Sequence, residues 1–230
     1  MNQLLTHGII LSRTDYGEAD RIITLLTPDY GKLSLLAKGV RKIKSKLAGG
    51  IELFSVSHIT FIRGKGELGT LISTRLITHY GNIVKDITRV QLGYELIRVL
   101  HKATEDEPEA EYFHLLQQAF EALDDDTIPE ELIRSWFSAQ LLRQAGHTPN
   151  LLTDTLGNPL DAATLYDFSI DNMTFVGRPS GQFSAEHIKF LRLLFSSNQP
   201  KVLSKVQGID ALLTDMVSLI QTMLRTHIRT

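Results

Sequence analysis

Five cations stand within nine residues at Lys38, Arg41, Lys42, Lys44 and Lys46, in the run Ala37-Lys38-Gly39-Val40-Arg41-Lys42-Ile43-Lys44-Ser45-Lys46. Such side chains neutralise phosphates and release condensed counterions, which is binding chemistry rather than bond-making chemistry. Arg63 and Lys65 add charge in a later turn, and Arg13, Lys32 and Arg75 lie in apolar runs on either side. A solvated lysine loop would look the same in isolation. The elements that carry the run therefore decide its meaning.

Other spacings that could do chemistry lack their companions. Gly64-Lys65-Gly66-Glu67-Leu68-Gly69 spells G-x-G-x-x-G. A dinucleotide site needs a helix after it, and Thr70–His79 reads as a strand. No H-R-D, D-F-G or Walker sequence accompanies it, so a glycine-rich hairpin turn is expected rather than a nucleotide site. The eight histidines show no H-x-x-x-H or H-E-x-x-H spacing and join no nucleophile motif. Eleven acids and no Lys or Arg lie between residues 105 and 131, which is expected to be an acidic solvated surface. The chain has no cysteine, which excludes disulfides, thiol nucleophiles and thiolate zinc sites. No catalytic residue, metal site or cofactor is expected.

The positioning elements change character along the chain. Runs at 8–14, 21–27, 32–37, 53–62 and 68–79 are short and apolar, with turn residues between them. Five close-spaced strands in about 80 residues match the size of an OB-fold barrel, whose loops and open face form a groove. In that setting the basic run joins strands three and four, and Tyr16, Tyr30, Phe54 and Phe61 become candidate base-stacking rings. From Asn82 the apolar period lengthens, giving helices over about 82–102, 109–123 and 129–145, then 184–196 and 208–228. Residues 147–183 hold three prolines and no helical period. The expected class is α+β: an OB-fold domain over 1–80 and a helical domain over 81–230, with a loop- and strand-rich lobe at about 147–183.

Charge follows the same division. Residues 1–80 carry eleven Lys/Arg against six Asp/Glu, residues 81–150 carry six against thirteen, and the rest is balanced. The net charge of −2 thus conceals a basic first third. No apolar run approaches the roughly 18–20 residues of a membrane span, and the first residues lack the pattern of a signal peptide. A cytoplasmic location is expected.

The N-terminal residues carry a family resemblance. Gly8-Ile9-Ile10-Leu11, Asp15-Tyr16-Gly17-Glu18-Ala19-Asp20-Arg21-Ile22, Leu26-Thr27, Gly31-Lys32, Ala37-Lys38-Gly39-Val40-Arg41 and Lys44-Ser45 resemble the RecO family of bacterial recombination mediators, and Gly50 and Phe54 continue the match. The resemblance implies an OB-fold, a helical domain and a zinc-ribbon-like insertion. It also implies binding of single- and double-stranded DNA and annealing of complementary strands at the nucleoid. Implied partners are RecR and the C-terminal tail of single-strand-binding protein, with RecA loaded indirectly. On this reading Lys38, Arg41, Lys42, Lys44, Lys46, Arg63, Lys65, Arg13 and Arg75 contact nucleic acid. An acidic-apolar tail would need a cation beside apolar walls, for which Arg134 next to Trp136, or Arg143, are candidates.

One departure stands out. Many relatives carry two C-x-x-C pairs after the third helix, where this chain has none. A metal-free lobe is expected, packed on Leu160, Leu165, Phe168, Phe175 and Val176. Asp154, Asp161, Asp167 and Asp171 follow no EF-hand spacing. An OB-fold RNA-binding or translation-associated adaptor is the alternative reading.

Overall fold

The computed structural model describes residues 2–64, 66–104 and 110–228. Five strands come first: β1 (Leu4–Tyr16), β2 (Asp20–Thr27), β3 (Gly31–Ala37), β4 (Ser55–Ile62) and β5 (Leu68–His79). They close a barrel in the order β1-β2-β3-β5-β4. Neighbours pair antiparallel except β3 and β5, which run parallel over Ser34–Leu36 and Leu68–Thr70. Alternation along each strand sends Ile10, Ile23, Leu25, Leu35, Ile59, Phe61 and Leu71 inward to one buried core. Closing the sheet leaves few open edges, which suits a barrel this small.

Two compact units divide at Asp125/Asp126, rather than at the end of β5. Helices α1 (Ile87–Ala103) and α2 (Ala110–Asp124) therefore belong with the barrel. The reason lies in contacts between elements. Phe54, counted above as strand, sits at φ 54 and turns its ring into a seat on α1. A Cβ at Gly93 would lie 2.5 Å from Cε1 of that ring. The ring also meets Tyr94 and Phe120 edge-on at 5.5 and 5.4 Å. Left-handed backbone costs about 1–2 kcal/mol for a residue with a Cβ, whereas burying the ring contributes about 1.5–3 kcal/mol, so packing prevails.

Cations at the helix ends complete the attachment. Lys32 Nζ on β3 donates to the carbonyls of Thr104 and His101, at 2.6 and 3.3 Å, capping α1. Arg89, 7% exposed, donates to Leu123 and Asp125 carbonyls at the end of α2. Asp86 caps the start of α1 by accepting from Thr88 N and Arg89 N. Hydrogen bonds from the Thr88 hydroxyl and backbone hold its carboxyl below the usual value.

The second unit is built on α3 (Glu130–Gln144), which packs against α4 (Ala185–Leu194), α5 (Pro200–Leu203) and α6 (Ile209–His227). Between α3 and α4 lies a three-stranded sheet of β6 (Asn150–Asp154), β7 (Tyr166–Ser169) and β8 (Thr174–Gly177), in the order β6-β8-β7. Phe175 is fully buried at its centre, with Tyr166, Phe168 and Phe183 rings at 5.9, 5.1 and 6.1 Å. This aromatic cluster forms the core of the lobe, which has no cysteine for a zinc ribbon. Leu165, expected inside, is 40% exposed.

Candidate nucleic-acid interface

The β3–β4 connection carries the basic run and is anchored at both ends. Val40 and Ile51 enter the barrel core, and Leu47, Ala48 and Leu53 pack against it. Asp20 Oδ1 accepts from Gly39 N at 2.7 Å, and Ala19 O accepts from Arg41 N at 3.0 Å. Gly39 takes φ 63, a conformation that favours glycine and starts the turn. At the far end Leu47 O accepts from Thr74 Oγ1 on β5 at 3.1 Å. Residues 42–46 project between these anchors, and Lys38, Lys42, Lys44 and Lys46 are exposed with no ion pair among the described residues. Ile43, at the apex, is fully exposed.

The arginines behave differently from the lysines. Asp15 accepts from Arg21 Nε at 2.7 Å and lies 3.4 Å from Arg41 Nη1. The Arg21 hydrogen bond, aided by Arg41, holds the Asp15 carboxyl below its ordinary 3.8. Arg13 bonds Glu52 Oε2 at 3.2 Å and Ile51 O at 3.4 Å, fastening the base of the connection. Arg63 stands over the Tyr30 ring at 5.2 Å. Arg75 is exposed on β5, and Lys65 lies outside the described residues.

Of the four candidate rings, Tyr16 is 53% exposed at the end of β1, and Tyr30 is half-buried beneath Arg63. Phe54 and Phe61 are 2% and 0% exposed, so neither presents a face to a base. Phe61 points into the barrel, and Phe54 fills the seat on α1. Sequence reasoning also passed over Ile43, although an isoleucine flanked by Lys42 and Lys44 in a turn was a visible signal.

In the second unit Trp136 is 2% exposed and its Nε1 donates to Asn198 O at 2.8 Å. Its indole is therefore an internal strut and not a wall offered to a partner. Arg134 pairs with Glu131 at 3.4 Å, and Arg143 is exposed near the end of α3. Three of the lobe's four aspartates are spent on local structure. Asp154 accepts from Leu156 N, Asn158 N and Asn158 Nδ2, at 2.9, 2.8 and 3.2 Å. Asp161 accepts from Ala163 N, Thr164 N and Thr164 Oγ1, at 2.7, 2.9 and 2.9 Å. Asp167 meets Gln182 N and Arg178 at 3.2 and 3.4 Å. No group of three or more metal-ligating side chains exists among the described residues, and no helix among them is long and apolar enough to cross a membrane.

The five-strand order with its parallel β3–β5 closure places this barrel in the OB class of small barrels. Known proteins narrow the class. The family described as "Recombination protein O N terminal" matches residues 1–80, and "Recombination protein O C terminal" matches residues 85–230. The chain belongs to the RecO family. Similar proteins include "DNA repair protein RecO" of Dehalococcoides mccartyi, 37% identical over 147 residues, which are 64% of this chain and 57% of that protein. The protein of that name from Halalkalibacterium halodurans is 32% identical over 145 residues, 63% of this chain and 56% of the relative. In Rhodopirellula baltica the figures are 34% over 146 residues, 62% and 53%. The chain thus spans a little over half the length of the curated relatives it matches.

Proposed function

We propose that this chain is a DNA-binding recombination mediator acting in DNA repair in the cytoplasm, at the nucleoid. It binds single- and double-stranded DNA through the β3–β4 connection and anneals complementary strands. With RecR and the tail of single-strand-binding protein, for which Arg143 and Arg134 remain the candidate cations, it helps load RecA. No step of this activity requires bond-making chemistry. Protein cations replace the small counterions that separate two phosphate backbones, which lowers the repulsion opposing their pairing.

The observation that carries the reading is the set of four exposed lysines, without an acid partner among the described residues, on an anchored loop of an OB barrel. The name shared by the relatives, DNA repair protein RecO, supports it. If those four lysines each meet one phosphate of a single strand, log affinity should fall with log salt at a slope on the order of −2.8. The test is Lys42→Glu with Lys44→Glu, read by anisotropy on labelled single strands and by a strand-annealing assay. Binding and annealing should fall together. Unchanged affinity of the double variant at low salt would overturn the reading, and equal annealing of matched RNA would transfer it to an RNA-binding adaptor.

A further inference from the structure

The outer surface of β1, β4 and β5 carries a second basic row, on elements other than the loop. His7 on β1 lies opposite His58 on β4, and His58 lies opposite Arg75 on β5. Directly opposed residues of antiparallel strands project to the same side of the sheet. That side is the outside. A Cβ at the adjacent Gly8 would stand 2.8 Å from Leu25 Cδ1 and 2.9 Å from Ile59 Cγ1, both in the barrel core, so Gly8 faces inward and His7 outward. His7 and Arg75 are exposed and His58 is half-buried. The two imidazoles stand 4.7 Å apart at an interplanar angle of 56°. Leu5, Thr60 and Ser73 form the next row on the same face, adding two hydroxyls.

Among the described residues no acid lies on these strands' part of this face. Leu4–Thr14, Ser55–Ile62 and Leu68–His79 contain no Asp or Glu. Asp29, in the turn beyond β2, is bonded by Thr6 Oγ1 at 2.7 Å, while Asp15 and Glu52 are held by arginines. Arg13 and Tyr16 towards the end of β1, and His79 at the end of β5 opposite Ser55, are the other ionisable side chains on these strands. An imidazole changes charge between about pH 5 and 8. Protonated, His7 and His58 would repel each other and Arg75 unless an oxygen-rich anion lay among them. A divalent cation suits the row less well, because Arg75 fixes a positive charge beside the pair. The row crosses two interstrand spacings, about 10 Å, which fits an extended polyanion better than a compact ligand.

We propose that His7, His58 and Arg75 hold the phosphate backbone of a second nucleic-acid strand while the lysine loop holds the first. This rests on the DNA-binding reading above and gives it a means of placing two strands on one protein. The test saturates the full chain with an unlabelled single strand, then titrates a labelled, non-complementary one at pH 6 and pH 8. Wild-type protein should take the second strand more tightly at pH 6. His7→Gln/His58→Gln/Arg75→Gln should weaken second-strand binding about tenfold at pH 6, remove the pH dependence and slow annealing, and His7→Gln/His58→Gln should remove the pH dependence with first-strand affinity kept. The salt slope for the second strand should become shallower by about 1.4 if two phosphates are lost. Arg75→Gln alone, which leaves both imidazoles, should weaken the second strand yet keep the pH dependence, and it guards against a folding defect in the triple variant. Second-strand binding unaltered in the triple variant overturns the proposal and leaves the loop reading standing. Wild-type protein that binds no DNA overturns both. Displacement by inorganic pyrophosphate at stoichiometric concentration, or zinc binding lost in the triple variant, would assign the row to a free anion or a metal and overturn it likewise.

Discussion

The β3–β4 connection and the lobe between α3 and α4 are both irregular, charged segments on a small sheet, and they use charge in opposite ways. In the connection, apolar residues do most of the anchoring: Val40, Leu47 and Ile51 hold the chain to the barrel, and the lysines between them have no ion pair among the described residues. In the lobe, Asp154, Asp161 and Asp167 are themselves the anchors, each occupied by two or more donors. A charged residue is available to a ligand only where something else holds the backbone. The barrel's arginines follow the lobe's rule, since Arg13 and Arg41 are paired to Glu52 and Asp15.

The largest expected effect breaks the lobe's half of the contrast. Asp154→Ala with Asp161→Ala should lower the melting temperature of the second unit by several degrees at neutral pH, leaving the salt slope of DNA binding unchanged. Hydrogen bonds set the sign with acid. At Asp154 partial desolvation opposes ionisation, but donors from Asn158, Leu156 and Gly157 outweigh it. At Asp161 the Thr164 hydroxyl leads, followed by Ala163 N–H. Both folded carboxyls therefore sit below the ordinary 3.8. Their contribution is complete above that value and is lost as the pH falls through the depressed one. Wild type and double variant should converge in stability at that acid end, which a melting series across pH would check. Divergence that persisted there would show that the carboxylates are not the anchors.

A smaller effect is expected from moving an arginine across the divide. Asp15→Asn should release Arg21 and Arg41 towards solvent and steepen the single-strand salt slope by up to about 1.4. A slope that stayed constant would mean that these guanidiniums already meet phosphate, or never do. The smallest change concerns Ile43. Apolar side chains can wedge between bases, so Ile43→Ala should cost less than about tenfold in affinity and leave the salt slope untouched. A shift in slope would show that the substitution had moved the lysines instead.

Much of the barrel was legible because alternation and turn residues are local signals. The strands appear where Ile23, Leu25, Leu33 and Leu35 alternate with polar neighbours. The lysine run was equally legible, and composition alone excludes a thiolate zinc site from the lobe. The arginine pairings were not, because Asp15 and Arg41, or Arg13 and Glu52, meet only after the barrel closes. Phe54 was misread for a similar reason. Its ring turns out of the strand pattern to meet Gly93, a residue that a helical period records only as a weak helix former. The attachment of α1 and α2 to the barrel depends on that seat and on caps from Lys32 and Arg89, none of which leaves a periodic trace.

The parallel closure between β3 and β5 has a kinetic meaning. β1, β2 and β3 join through short turns, as do β4 and β5, so each group can form early from neighbouring chain. Bringing Ser34–Leu36 against Leu68–Thr70 closes everything between them into one loop, and that loop contains the lysine run. Closure entropy grows with the length enclosed, and like charges oppose compaction. The lysine run proposed above to meet a polyanion thus lies inside the loop that this pairing must close, where its like charges oppose the approach of the two strands.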